Sequence, residues 1–252
     1  MGMWNADQYL RYREERSQPV YDLMEFISAR NDMRIIDLGC GPGEHTRTLH
    51  ERFRATETIG LDSSDDMLSK APRAPGLKFE KGDISDFHPE GAFDLIFSNA
   101  ALQWVPDHET IFGSLYRALR PGGQLAVQIP KNGDHVCQRV AYLLEKEAPF
   151  NHYPANPLEK NTLSIEGYAT LLHILGFRNI KVRMFVYLHV LQRSEDTVEW
   201  MKGSLLTHYR ATMPSSTYES FENEFRKRVV QALGTAEPYL YTFKRILMHA
   251  VK

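Results

Sequence analysis

Residues 37–43 read Asp37-Leu38-Gly39-Cys40-Gly41-Pro42-Gly43 and follow the short, mostly apolar run 33–36. An apolar run that ends in an acid and a glycine-rich turn is typical of a buried strand leading through a ligand-binding turn into a helix. Glycine at alternate positions lets the backbone adopt positive φ angles and approach a ligand closely. The stretch therefore predicts a nucleotide-type site at the end of the first strand of an α/β sheet.

Strands and helices alternate through the first half of the chain. A helix is predicted to begin at Pro19, a residue favoured in the first helical turn. The predicted strands cover 33–37, 58–62, 77–81, 93–98 and 124–129, and the predicted helices cover 44–53, 64–71 and 108–119, with a turn at 120–123. This alternation predicts a doubly wound, mostly parallel α/β sheet.

The second half of the chain is mostly helical. We predict helices at 135–147, 164–175, 195–210 and 217–233, a loop at 148–157, and strands at 179–188 and 239–250. These bring the sheet to seven strands. The prediction is one domain, 1–252, with a core of about residues 1–130, 176–192 and 239–252 and a helical lid of about 131–175 and 193–238. A lid over the carboxyl edge of a sheet can enclose a small substrate.

Composition narrows the functional classes. The net charge of −2 gives no argument for nucleic acid binding, and no apolar run approaches the length of a membrane span. Two cysteines in a chain of this length predict a reduced, cytoplasmic protein. The histidines and cysteines show no spacing typical of a metal site. Composition leaves the oligomeric state undetermined.

The glycine turn allows two cofactors. A dinucleotide would require a third glycine at position 44, which is Glu44, and its pyrophosphate would be repelled by that carboxylate and by Asp37. S-adenosylmethionine carries an ammonium and a sulfonium instead of phosphates, so Asp37 can attract it while Gly39 and Gly41 let the backbone approach. The sequence favours S-adenosylmethionine, with a nicotinamide-dependent oxidoreductase as the alternative.

Residues at the following strand ends complete the predicted cofactor site. Asp62 can accept hydrogen bonds from both ribose hydroxyls, and Asp83 can accept one from the adenine amino group. Ile84 and Met67 can sandwich the adenine ring. Asn99 ends a central strand, where ligands bind in such sheets.

These motifs resemble those of the class I S-adenosylmethionine-dependent methyltransferases. The matching segments are 37–43, 60–64, 82–84 and 119–123. The resemblance implies a Rossmann-like sheet and adds Ser63 to the cofactor site. It covers about residues 33–130.

A closer resemblance is to the trans-aconitate methyltransferase family. It rests on Trp4-Asn5 with Tyr9, on Glu15-Arg16-Ser17, and on the segments 94–100 and 102–108. This resemblance implies an N-terminal helix that closes over the cofactor through Tyr9 and Arg16. The sequence differs from the family pattern in the lid at 203–210 and, near its end, at Lys244. Because the lid is expected to select the methyl acceptor, the sequence determines the cofactor better than it determines the acceptor.

The implied reaction is methylation of a carboxylate of a small polycarboxylic acid, with trans-aconitate giving its monomethyl ester as the best candidate. A carboxylate is already ionised at pH 7, so we predict no catalytic acid–base residue, only alignment and exclusion of water. Two alternatives remain. The protein methylates another small-molecule acceptor, or it is a binding protein that keeps the cofactor pocket without turnover. The predicted acceptor-binding residues are Tyr12, Gln103, Trp104, His108, Arg193 and Tyr209.

Overall fold

The strands form one sheet with the glycine-rich turn near its middle. The computed structural model describes residues 13–252, without the side chains of 13–16 and 159. The strands are β1 (Arg34–Leu38), β2 (Glu57–Asp62), β3 (Leu77–Lys81), β4 (Phe93–Asn99), β5 (Leu119–Pro130), β6 (Arg178–Leu191) and β7 (Tyr239–Val251). Their order is β3-β2-β1-β4-β5-β7-β6. Strands β1 to β5 pair in parallel, and β7 is antiparallel to β5. The predicted seven-stranded, mostly parallel sheet is confirmed.

Helices connect the strands and fill the second half of the described chain. They are α1 (Arg13–Met24), α2 (Glu44–Phe53), α3 (Asp65–Leu68), α4 (His108–Ala118), α5 (Val136–Leu144), α6 (Leu158–Asn161), α7 (Ile165–Ile174), α8 (Asp196–Lys202), α9 (Leu205–Thr212) and α10 (Ser215–Leu233). Short 3-10 turns lie at Ile84–Asp86, Leu102–Trp104 and Phe150–His152. The predicted helix 44–53 and strand 77–81 coincide with α2 and β3.

Two local predictions are wrong. No helix begins at Pro19, because Pro19 lies inside α1. A proline within a helix removes one backbone hydrogen bond, and the burial of Val20 and Leu23 on the same helix offsets that loss. The predicted turn 120–123 belongs to β5, where Gly122 takes φ 77° and its N–H donates to the carbonyl of Lys252.

Three predicted helices differ in length or continuity from the observed ones. The predicted helix 135–147 shortens to α5. Residues 195–210 form α8 and α9 rather than one helix, with the break at Gly203 and Ser204. The predicted helix 64–71 shortens to α3, which Ser64 caps by accepting a hydrogen bond from the N–H of Met67.

Both faces of the sheet are covered by helices. On one face, Ile35 of β1 packs in a buried cluster with Val20 and Leu23 of α1. On the other face, its neighbour Ile36 packs in a second cluster with Phe112 of α4. Successive strand residues point to opposite faces, so a strand buried on both sides appears as a continuous apolar run. This explains the apolar segments seen in the sequence.

The described chain divides into two compact units. The sheet unit comprises residues 18–130, 160–185 and 245–252, and the helical unit comprises 13–17, 131–159 and 186–244. The helical unit has its own core around Trp200, Tyr209 and Phe221. Helix α7 belongs to the sheet unit rather than with the other helices of the predicted lid, because Tyr168 and Leu172 are fully buried in the sheet core.

Candidate functional site

The glycine turn between β1 and α2 requires glycine at all three positions. Gly39, Gly41 and Gly43 have φ angles of 74°, 57° and 76°, which L side chains rarely adopt. A Cβ on Gly39 would lie 2.2 Å from the Cβ of Ala101, so the turn packs tightly against the end of β4. A Cβ on Gly41 would meet no atom within 4 Å. The turn is therefore braced on one side and open at Gly41, where a ligand can approach the backbone.

Asp62 joins the end of β2 to this turn. Its carboxylate accepts hydrogen bonds from the N–H of Gly41 at 2.8 Å and from the N–H of Ser64 at 2.9 Å. Each carboxylate oxygen has two lone pairs, so both oxygens retain capacity for a ligand hydroxyl. Asp62 thus orders the turn and remains able to bind a diol.

Asp37 is buried below the turn. Its side chain is 3% exposed and accepts a hydrogen bond from the Thr46 hydroxyl at 2.7 Å. Burial raises the pKa of Asp37 to about 7; the Thr46 hydrogen bond opposes this shift and the nearby Asp62 adds to it. A cation bound beside Asp37 would favour its ionised form.

The turn is a region of negative potential. Burial raises the pKa of the Cys40 thiol above its usual range, and the charges of Asp37 and Asp62 act in the same direction. Glu44 is the first residue of α2, the helix position at which dinucleotide folds hold a pyrophosphate. The donor and acceptor set therefore fits a cofactor that carries positive charge better than one that carries phosphates.

The third strand end lies beside the same turn. A Cβ on Gly39 would lie 3.7 Å from Cδ1 of Ile84, so Ile84 and the turn are neighbours. Asp83 is exposed and accepts a hydrogen bond from the N–H of Ser85 at 2.8 Å. Met67 in α3 is half-buried, and Ser63 is exposed. It remains a prediction that Ser63, Met67, Asp83 and Ile84 contact the cofactor.

Asn99 ends β4 with a buried acceptor. Within residues 13–252, its Oδ1 atom has no hydrogen-bond partner. A buried, unpartnered oxygen is costly unless a ligand or water donates to it. Its position at the carboxyl end of a central strand is where ligands bind in open α/β sheets.

The residues after β4 that are predicted to bind the methyl acceptor differ in their surroundings. Gln103 is 5% exposed, its Nε2 donates to the carbonyl of Ala100 at 2.7 Å, and its Oε1 has no partner among the described residues. Trp104 is half-buried. His108 is buried, with Nδ1 2.7 Å from the Tyr168 hydroxyl and Nε2 2.9 Å from the carbonyl of Leu102. A contact from His108 to an acid would require displacement of one of these partners.

The two residues of the helical unit that are predicted to bind the methyl acceptor differ in their exposure to solvent. Tyr209 is fully buried, its hydroxyl donates to Glu145 at 2.7 Å, and its ring stacks on Phe221 with centroids 4.4 Å apart. Arg193 is exposed and lies 3.8 Å from Glu195 and 3.6 Å from Asp196. Tyr9, Tyr12 and the side chain of Arg16 lie outside the described residues. Binding of the methyl acceptor by Tyr12, Arg193 and Tyr209, and of the cofactor by Tyr9 and Arg16, remains a prediction.

Three polar residues that hold other side chains in place were not predicted from the sequence. Thr46 holds Asp37, and the Nη1 atom of buried Arg245 donates to Oε1 of fully buried Gln128 at 3.2 Å. The available signal was a polar residue inside an otherwise apolar strand, as at positions 128 and 245. Such residues are seldom fully buried without a specific partner.

The described residues include neither a membrane-spanning helix nor a metal-binding cluster. No described helix combines the length and the apolarity needed to cross a bilayer. Among residues 13–252, no group of three or more His, Cys, Asp or Glu side chains is placed to hold a metal ion.

Two solved structures that share this fold are methyltransferases. Phosphoethanolamine N-methyltransferase 2 of Haemonchus contortus, in complex with S-adenosylhomocysteine, superposes with a TM-score of 0.59 at 18% identity over 93% of this chain and 52% of that chain. An S-adenosylmethionine-dependent methyltransferase of Mesorhizobium loti superposes with a TM-score of 0.53 at 20% identity over 94% of this chain and 98% of that chain.

Sequence comparison gives the family. Residues 35–123 match the family model described as a methyltransferase domain. Trans-aconitate 2-methyltransferase of Deinococcus radiodurans is 39% identical, over 99% of this chain and 98% of that protein. Trans-aconitate 2-methyltransferase of Variovorax paradoxus is 36% identical over the same shares of the two chains. The chain therefore belongs to the class I S-adenosylmethionine-dependent methyltransferases, in the family whose curated members are named trans-aconitate 2-methyltransferase.

Proposed function

We propose that the protein transfers a methyl group from S-adenosylmethionine to a carboxylate of a small polycarboxylic acid, and that trans-aconitate is this acid. The observation that carries the proposal is the 39% identity to a trans-aconitate 2-methyltransferase over 99% of the chain. That similarity includes the helical segments in which acceptor specificity is expected. Two free cysteines, Cys40 and Cys137, support the further proposal that the reaction takes place in the cytoplasm.

In this proposal, the carboxyl edge of the sheet holds the cofactor. Asp62 accepts hydrogen bonds from the ribose hydroxyls while its carboxylate orders the glycine turn. Asp37 attracts the ammonium group, and Oδ1 of Asn99 offers a buried acceptor. When bound, S-adenosylmethionine supplies an electrophilic methyl group on a sulfonium, and its transfer to a carboxylate oxygen leaves a neutral thioether. The open side of Gly41 admits the cofactor chain next to the backbone.

The proposed reaction uses no catalytic acid or base. A carboxylate is ionised at neutral pH and is already the nucleophile. The enzyme therefore contributes alignment of the reacting atoms and removal of water from the anion, which together can lower a barrier by several kcal/mol. Gln103 and Trp104, which lie in the 3-10 turn after β4, are the described residues that we propose as walls of the transfer site.

Incubation of the purified protein with methyl-labelled cofactor and a panel of acids tests the proposal. The panel contains trans-aconitate, cis-aconitate, citrate, a monocarboxylic acid and the dimethyl ester of trans-aconitate. We expect label to enter a monomethyl ester of trans-aconitate, identified by mass spectrometry, and the variant Asp62→Ala serves as the control for cofactor-dependent transfer. Label in none of the acids would overturn the proposal, and a different labelled acid would change its acceptor. Titration with NADH tests the oxidoreductase alternative, for which we expect no binding.

A further inference from the structure

Three polar side chains lie on one face of the sheet at the carboxyl ends of β4 and β5. Asn99 of β4 is the register partner of Gln128 of β5, and Gln128 is the register partner of Leu247 of β7. Register partners share a face, and so do residues two apart in a strand. Arg245 therefore lies on the same face as Asn99 and Gln128.

The pair formed by Gln128 and Arg245 is buried. Gln128 is 0% exposed, Arg245 is 6% exposed, and Nη1 of Arg245 donates to Oε1 of Gln128 at 3.2 Å. A guanidinium only donates hydrogen bonds, so this contact orients the amide with Oε1 towards Arg245 and the Nε2 donors away from it. Within the described part of the chain, Nε2 of Gln128 has no hydrogen-bond partner. Burial of an amide donor without a partner is costly, and this indicates that a ligand accepts from it.

The chemistry of this pair matches one ligand group. A guanidinium next to a free amide N–H offers several donors and a positive charge, which is the set that recognises a carboxylate. The glycine turn follows β1, Asp62 ends β2 and Asp83 follows β3, and in the strand order these three strands lie on one side of β4. Gln128 and Arg245 lie on β5 and β7, on the other side of β4. The pair is thus placed beside the proposed cofactor site rather than within it.

We propose that Gln128 and Arg245 bind the carboxylate of the acceptor that is not methylated. This inference rests on the proposed function. A carboxylate held by a guanidinium and an amide is stabilised as an anion and is a weaker nucleophile. The pair therefore anchors one carboxylate of a polyacid while another carboxylate reacts, which selects acids with at least two carboxylates. Gln128 and Arg245 are specificity residues for the acceptor.

The test uses the variants Gln128→Glu and Arg245→Gln in the full chain. Gln128→Glu places an anion next to Arg245, where it competes with the acceptor and repels it. Arg245→Gln removes the cation. For each we expect the dissociation constant and the KM for trans-aconitate to rise roughly 10- to 100-fold, the range for loss of a charged hydrogen bond. The dissociation constant is measured by calorimetry on the protein saturated with S-adenosylhomocysteine.

The matched control is Arg120→Gln, which removes an arginine at the other end of β5. Arg120 is exposed and lies 2.8 Å from Asp94, so we expect its removal to leave acid binding unchanged. Affinity for S-adenosylhomocysteine should stay within about twofold of the wild-type value in all three variants, because the substituted residues lie outside the proposed cofactor site. A change in KM for the acid at unchanged cofactor affinity then reports on acid binding alone. If Arg245→Gln does not fold, Gln128→Glu keeps the inference testable, since it retains the arginine and provides a buried counter-ion.

Wild-type acid affinity in a folded Gln128→Glu variant would overturn the inference. So would a loss of S-adenosylhomocysteine affinity equal to the loss of acid affinity, because the pair would then belong to the cofactor site. Failure of the proposed function is a different result: wild-type protein would form no methyl ester from any acid. Acid binding that depends on Arg245 without turnover would support the carboxylate site and contradict the proposed reaction.

Discussion

The sheet unit and the helical unit satisfy their polar side chains in different ways. At the carboxyl edge of the sheet, the carboxylate of Asp62 is held by the backbone N–H groups of Gly41 and Ser64. In the helical unit, the hydroxyl of Tyr209 is held by the carboxylate of Glu145. A carboxylate held by backbone donors keeps lone pairs for a ligand, whereas the single proton of a tyrosine hydroxyl is already used. The contrast indicates binding capacity in the sheet unit and structural stabilisation at Tyr209.

The largest expected effect is at Gly39. We expect Gly39→Val to abolish cofactor binding, because its Cβ would lie 2.2 Å from the Cβ of Ala101 at a φ of 74°. Calorimetry with S-adenosylhomocysteine measures the loss, and circular dichroism reports whether the fold persists.

The control for Gly39→Val is Gly91→Ala, which introduces a side chain at φ 53° where no atom lies within 4 Å. It should cost about 1 kcal/mol of stability through backbone strain alone and leave cofactor affinity unchanged. Cofactor binding by Gly39→Val at wild-type affinity would show that the glycine turn does not form the site.

Replacement of Asp62 tests whether its carboxylate, which the backbone N–H groups of Gly41 and Ser64 hold in place, also binds the cofactor. We expect Asp62→Ala to weaken cofactor binding by roughly 1–3 kcal/mol, because buried hydroxyls and the N–H of Gly41 lose their acceptor. Asp66→Ala is the matched control, since Asp66 is exposed and lies 3.0 Å from Lys70. Equal affinities in the two variants would contradict the role of Asp62.

Asp37 provides a pH-dependent test. Because burial raises its folded-state pKa to about 7, its contribution to stability is fully present below about pH 4, the pKa in the unfolded chain, and is lost as the pH rises through about 7. Asp37→Asn has no proton to lose. Without cofactor, we expect its free energy of unfolding to exceed that of the wild type by about 1–4 kcal/mol near pH 8 and to match it near pH 4.

Denaturant titrations across this pH range measure the Asp37 effect. Asp37→Asn should also bind S-adenosylhomocysteine more weakly, because the neutral amide has no negative charge to attract the ammonium group. A stability difference that does not vary with pH would show that Asp37 does not titrate in the folded protein.

The smallest expected effect is at Tyr209. We expect Tyr209→Phe to lower the free energy of unfolding by about 1 kcal/mol, the usual contribution of one hydrogen bond, because it removes the donor to Glu145. The KM for the acid is measured on the same variant. A rise of about tenfold in KM at unchanged stability would support the acceptor role that the sequence predicts for Tyr209 and would break the contrast between the two units.

Local sequence predicted the strand–turn–helix part of the fold well. The apolar runs of β1 to β4, the glycines of the turn and helix α2 all follow from short-range patterns. The acids at positions 37 and 62 were identifiable for the same reason, because the end of a parallel strand has a known place in the sheet.

Residues on helices were harder to interpret. The hydroxyl of Tyr168 approaches His108 from a helix 60 residues later in the chain, and Glu145 lies 64 residues before Tyr209. Periodicity shows that a helix has faces, but the partner of each face depends on distant segments. The same limit explains Pro19, whose position within α1 follows from burial of that helix against the sheet.

By itself, the sequence determined the parallel sheet, the glycine turn and the acidic strand ends, because these depend on backbone geometry and on residues close together in the chain. Only the tertiary structure decided that Asp37 is buried with a raised pKa, that His108 and Tyr209 are held by internal partners, and that Arg245 meets Gln128. Each of these depends on packing between segments far apart in sequence, which sets the burial and the hydrogen-bond partners of a side chain and thereby its chemistry.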